Sequence, residues 1–124
     1  MGKPVVLVIE AEAIIRMETV QMVKDAGYAV LDAPNTNDAM KILESRHDIR
    51  GVFTEIRVPG HLNGMDLGRA IAARWPLIRL IITSGIPKAD NFPAHWRYIP
   101  KPYGGAQLAA ALRALVVQQP TVAS

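Results

Sequence analysis

The sequence predicts an α/β fold: a five-stranded parallel sheet doubly wound with helices on both faces. Two observations carry this. Apolar, β-branched segments alternate five times with helix-like segments across short connections, the pattern that builds parallel sheets covered on both sides. The first segment, Val5 to Ile9, is apolar without interruption, as a strand buried on both faces must be.

The elements follow in order. Glu12 to Ala26 reads as a helix stopped by Gly27, with Ile15, Met22, Val23 and Ala26 on one stripe. Tyr28 to Leu31 resumes strand character. Asn35 or Thr36 can cap a second helix running to about Arg46, with Ala39, Ile42 and Leu43 inward. Gly51 to Thr54 is a short strand, and Pro59 to Asn63 is a turn-rich loop. Gly64 to Trp75 is a third helix, ended by Pro76. Leu77 to Ile82 and Tyr98-Ile99 supply the last strands, and Gly104 to Gln118 the final helix. Between Thr83 and Tyr98, Pro87, Pro93 and Asp90-Asn91 leave room for about one turn, so the fourth helix is expected to be degenerate, with Phe92 or Trp96 tucked inward.

Composition narrows the functions. The 124 residues fit one domain, with a core over 4–118 and a frayed tail over 119–124. The 14 Lys and Arg leave a net charge of +3 but are dispersed along the sequence, which disfavours a nucleic-acid partner. The absence of cysteine removes disulfides and thiolate chemistry. His47, His61 and His95 show no ligand spacing. No run reaches the length of a membrane span, and Met-Gly-Lys-Pro leads straight into a strand, so a cytoplasmic protein without a membrane partner is expected.

In a sheet of this kind the ligand crevice lies beyond the carboxyl ends of the strands. The residues there are Glu10, Ala11 and Glu12, then Glu55, then Thr83 and Ser84, then Lys101 and Pro102. An acidic cluster, a further carboxylate, a hydroxyl and a lysine thus converge on one pocket. Thr83-Ser84-Gly85 lacks a histidine base, so hydrolase chemistry is not expected. Glu10-Ala11-Glu12 would repel the phosphate of a flavin. No catalytic residue is assigned, and the chain is not expected to be an enzyme.

The segments Leu-Val-Ile-Glu-Ala-Glu, Phe-Thr-Glu-Ile-Arg-Val-Pro-Gly, Ile-Ile-Thr-Ser-Gly and Tyr-Ile-Pro-Lys-Pro-Tyr follow in order, each at a strand end. On these segments the chain resembles the receiver domain of bacterial response regulators, from Val5 through Leu115. The resemblance implies a flavodoxin-like (βα)5 fold with strand order 2-1-3-4-5. It implies a two-component phosphorelay role in which acids after the first strand hold Mg²⁺. An Asp after the third strand takes a phosphoryl group from a sensor histidine kinase, and a hydroxyl and a lysine bind the phosphoryl oxygens. By that correspondence Glu55 stands at the phosphoacceptor position and Glu10 and Ala11 at the acid positions. Glu10, Glu55 and the Arg57 carbonyl would be the metal ligands. Thr83, Ser84 and Lys101 take the phosphoryl-binding positions, and Tyr98 that of a rotating aromatic switch.

Two departures matter. Mg²⁺ wants near-octahedral oxygen ligation, usually with one or two carboxylates, and Ala11 contributes none. Glu55 carries one methylene more than Asp, pushing its carboxylate about 1.5 Å further into the pocket, and phosphoryl transfer depends on in-line placement. A pseudo-receiver is therefore expected, without a cofactor and with Mg²⁺ weak or absent, that signals through protein contacts. Glu55 opposite Lys101 and Thr83 either imitates a phosphoryl charge in part or forms an ion pair in a retired pocket. The alternatives are a functioning phosphoacceptor and the excised receiver half of a DNA-binding regulator; the chain is read as a stand-alone receiver with no output domain.

The last helix is apolar nearly all round. Leu108, Leu112, Leu115 and Val116 form the inward stripe, and Ala110, Arg113, Ala114 and Val117 an outer face expected to pair in a homodimer. Met17 and Val20 point away from the main stripe of the first helix.

Overall fold

In a computed structural model, which describes residues 3–84, 93 and 96–118, five strands form one parallel sheet in the order β2-β1-β3-β4-β5. The strands are β1 (Val5–Ile9), β2 (Ala29–Ala33), β3 (Ile49–Glu55), β4 (Arg79–Ser84) and β5 (Arg97–Pro100). The helices among the described residues are α1 (Ala13–Asp25), α2 (Thr36–Ser45), α3 (Gly64–Arg74) and α4 (Gly105–Gln118). The doubly wound class and strand order stand as expected.

Each face has its own core. Leu7, Ile9, Val52, Leu80 and Ile82 meet Ala39 and Leu43 of α2 and Leu67 and Ile71 of α3. Val6, Val8, Phe53, Ile81 and Ile99 meet Val23 of α1 and Leu108 and Leu112 of α4. Alternate residues of β1 thus serve opposite faces, which is why that strand has no polar position.

Local chemistry sets the helix starts. The Asn35 side chain accepts the Asp38 N–H at 2.7 Å, and Asn63 accepts the Asp66 N–H at 2.8 Å, each satisfying a donor that the first turn leaves open. Asn35, rather than Thr36, is the cap of α2. Pro76 lacks an amide hydrogen and follows Trp75, where α3 has already ended.

Some expectations need correction: β2 runs two residues past Leu31, to Ala33, and β5 adds one residue at each end of Tyr98-Ile99. Leu77 lies outside β4 and is 62 % exposed, because the chain turns at Pro76 and the sheet begins only at Arg79. Val20 is half-buried against the α1–α4 core rather than turned away, although Met17 is exposed. The third strand is longer than Gly51 to Thr54, since its backbone pairing with β1 starts at Ile49.

Trp96 is buried, as expected, among Leu80, Ile71 and Leu67. A Cβ on Gly68 would meet its ring at 2.6 Å, so α3 carries a glycine where the indole approaches the helix. Phe92, most of the interval assigned to the degenerate fourth helix, and the 119–124 tail lie outside the described residues.

Candidate functional site

The carboxyl ends of β1, β3, β4 and β5 bring Glu10, Glu55, Thr83 and Lys101 together, as the sequence predicted. Backbone bonds hold the frame. Glu10 N–H donates to the Ala33 carbonyl, Ile56 N–H to Thr83, and Lys101 N–H to Ser84, at 3.0, 3.0 and 3.1 Å. The loop after β3 folds back so that Gly64 N–H reaches the Ile56 carbonyl at 2.8 Å. A Cβ at Gly64 would fall 2.1 Å from the Glu55 carbonyl oxygen, so the start of α3 can press on the end of β3 only as glycine.

Among the described residues, Lys101 is the cation that faces both acids of the pocket. The Lys101 ammonium donates to Oε1 of Glu55 in a close ion pair and stands 3.9 Å from Oε1 of Glu10. Glu10 is buried at 3 % exposure, and its other oxygen accepts the Glu12 N–H at 3.0 Å. These contacts offset the cost of holding a carboxylate out of water. The Thr83 hydroxyl is buried and has no hydrogen-bond partner among the described residues. Ser84 is also buried and Tyr98 half-buried, whereas Ala11, Glu12 and Arg57 are exposed.

Magnesium would find a poor donor set here. Ala11 has no side-chain oxygen, Lys101 occupies one oxygen of Glu55, and a backbone amide occupies one of Glu10. Among the described residues no three His, Asp or Glu side chains converge. A hard divalent cation takes one or two carboxylates plus water, and here each of the two carboxylates already has one oxygen engaged.

Two contacts escaped the sequence reading. Arg16 of α1 donates to the Glu10 carbonyl at 2.9 Å and the Ala11 carbonyl at 3.4 Å, and pairs with Asp32 at 3.0 Å. It tethers α1 to the loop beside Ala11. The signal was a lone Arg on the apolar-leaning side of the first helical turn. Tyr103 shares a hydrogen bond with Thr19 at 2.8 Å and sets its ring edge-on to Phe53 at 5.3 Å, anchoring the segment that carries Lys101. Burial, aided by Glu10 and Glu18, raises the Tyr103 hydroxyl above its ordinary value, with the Thr19 hydrogen bond opposing. A groove of about 390 Å³ runs beside it, lined by Ile15, Glu18, Met22 and Lys101 among others.

The family model described as the response regulator receiver domain matches residues 6–113, most of the chain and all four strand-end segments. The chain belongs to the response regulator receiver domain family. This receiver is 29 % identical over 95 % of its length to the sensor kinase CckA of Brucella abortus (strain 2308), covering 13 % of that protein. It is 31 % identical over 87 % of its length to an NtrX-like response regulator of Rickettsia bellii (strain RML369-C), covering 24 % of it. The receiver thus spans a small part of these curated relatives. Among solved structures, a response regulator receiver protein from Sinorhizobium medicae WSM419 superposes with a TM-score of 0.87 at 26 % identity, over 95 % of this chain and 98 % of that one. The chain is therefore a signalling module of two-component systems, and no helix among its described residues is long and apolar enough to cross a membrane.

Proposed function

We propose that this receiver signals without being phosphorylated, through contacts with a sensor histidine kinase or another signalling protein rather than by catalysis. One observation carries this reading: the ion pair between Lys101 and Glu55. The lysine that would bind a phosphoryl group is already engaged by the residue at the acceptor position, and Ala11 removes a metal ligand. Glu55 brings a charge of −1 where a phosphoryl group brings about −1.5 to −2. The partial imitation it offers is a standing contact between β3 and β5. Magnesium binds weakly or not at all, and no other cofactor is required.

The contact surface lies on α1, where Ile14 and Met17, one turn apart, are 74 % and 69 % exposed. Residues three apart on a helix are surface neighbours, so the two form one small apolar patch that a partner can cover. The outer face of α4 is the second surface, used between copies in a homodimer. The domain is cytoplasmic and has no nucleic-acid contact of its own. Incubation with acetyl phosphate and magnesium followed by intact mass measurement tests the proposal. An unchanged mass supports it, and stoichiometric addition of one phosphoryl group at Glu55 overturns it.

A further inference from the structure

At the opposite end of the sheet, the chain turns from α3 into β4 through Trp75, Pro76, Leu77 and Ile78. These residues, with Ile49 and the Arg46, Arg50 and Arg74 side chains, line a slot of about 250 Å³, room for one or two apolar side chains. Leu77 at its rim is 62 % exposed. The Arg74 guanidinium lies over the Trp75 ring at 4.4 Å, so one wall is both aromatic and cationic.

Cations outnumber anions around the slot, with Arg46, Arg50 and Arg74 facing Asp48 and Glu44. Arg46 pairs with Asp48 and Arg74 with Glu44, but both pairs are about half exposed and cost little to exchange for another carboxylate. The same edge of the sheet adds Lys3, Lys24 and Arg97 against Asp25. The far end, by contrast, gathers Glu10, Glu12, Asp32 and Glu55. Cations at helix C-termini complement the helix dipole, which accounts for Lys24, Arg46 and Arg74. Arg50 donates to the His47 and Ile49 carbonyls at 3.2 and 3.4 Å, which holds its guanidinium beside the slot, and the dipole gives no reason for an apolar side chain exposed among these cations.

We infer that this slot is a docking site for an acidic segment of a partner protein that inserts one large apolar side chain beside Leu77 and Trp75. The apolar slot selects the anchor and the surrounding guanidiniums select the flanking carboxylates, which also steer the segment to this end. A nucleic acid has no aliphatic anchor to fill the slot, and one face of Trp75 is already covered by Arg74. The site is remote from Glu55 and works whether or not the acceptor position is modified.

The test uses the full chain and a short fluorescein-labelled peptide of Asp and Glu around a central Leu-Phe pair, followed by anisotropy. Saturable binding at or below about 100 µM is expected, in the range of transient contacts. Leu77→Ser and Arg50→Glu should each weaken it at least about fivefold, and both keep the fold, because Leu77 and Arg50 are exposed; near-ultraviolet circular dichroism checks this. A control peptide with Ser-Ser in place of Leu-Phe should bind at least about fivefold more weakly. Failure to saturate by about 1 mM, equal binding of the control peptide, or indifference to Leu77→Ser in a folded variant overturns the inference. Slot-dependent binding of single-stranded DNA or phosphatidylserine vesicles with the peptide inert overturns it as well.

Discussion

The Lys101 ammonium bridges two carboxylates, pairing with Oε1 of Glu55 and standing 3.9 Å from Oε1 of Glu10. This cation sits against both acids and ties β5 to β3. Its removal exposes those acids to each other.

Lys101→Met should therefore destabilise the fold by about 1–3 kcal/mol. That is less than for a fully buried pair, because the two side chains retain 27 % and 17 % exposure. Adding Glu55→Gln should restore part of the loss, since it removes the uncompensated charge. Urea unfolding of the four proteins of this double-mutant cycle measures the coupling. A cycle with no coupling would show that the pair is only a surface contact.

Magnesium titration followed by tryptophan fluorescence or amide shifts should show no saturation by about 1 mM, because Ala11 contributes no oxygen and Lys101 holds one of Glu55. Lys101→Met frees oxygens on Glu55 and Glu10, so weak binding should emerge in that variant. Tight binding by the unmodified protein would mean that Lys101 yields to the metal.

Much of this was legible in the residues, and the exceptions have physical causes. β1 declared itself because burial on both faces leaves no room for a polar side chain. Leu77 did not, because a leucine in the strand and a leucine left at a turn read alike in sequence. Glu10, Glu55, Thr83 and Lys101 were found from their places at strand ends. Arg16 and the Thr19–Tyr103 contact were missed because they join residues of distant or unrelated motifs, and only the packing of α1 brings them to the pocket.

Changing Glu55→Asp together with Ala11→Asp should make the protein accept a phosphoryl group from acetyl phosphate. Thr83 and Lys101 are already in place, and the buried Thr83 hydroxyl has no competing partner among the described residues. Intact mass should rise by one phosphoryl group in the double variant and stay unchanged in the parent. A double variant that stays inert would place the defect elsewhere in the pocket, away from positions 11 and 55.

Alkaline stability should depend on Tyr103. Its folded-state hydroxyl ionises above the ordinary 10.0, chiefly through burial, so the unfolded chain loses its proton first. The stabilisation is whole below that ordinary value and is lost as pH rises toward the folded one. Unfolding free energy should begin to fall as pH rises past about 9, and the fall should be shallower in Tyr103→Phe. Some slope should persist, because burial raises Tyr28 too. An unchanged slope would mean that Tyr103 ionises freely while folded.

The last expectation concerns assembly through α4. Leu108 and Leu112 are buried in the core, Ala110 and Arg113 are exposed, and Ala114 is half-buried; the side chain of Val117, like those of Leu115 and Val116, lies outside the described residues. A two-fold dimer through this face buries the same small-residue patch on both partners, so one substitution acts twice. Ala110→Lys would bring two unpaired charges into the contact while leaving Leu108 and Leu112 in place. A buried charge without a partner costs several kcal/mol, enough to dissociate a dimer of about 10 µM affinity. Sedimentation at about 100 µM should then show dimer for the unmodified protein and monomer for the variant, with matching circular dichroism. An unmodified protein that stays monomeric at that concentration would reduce this face to an alanine-rich surface.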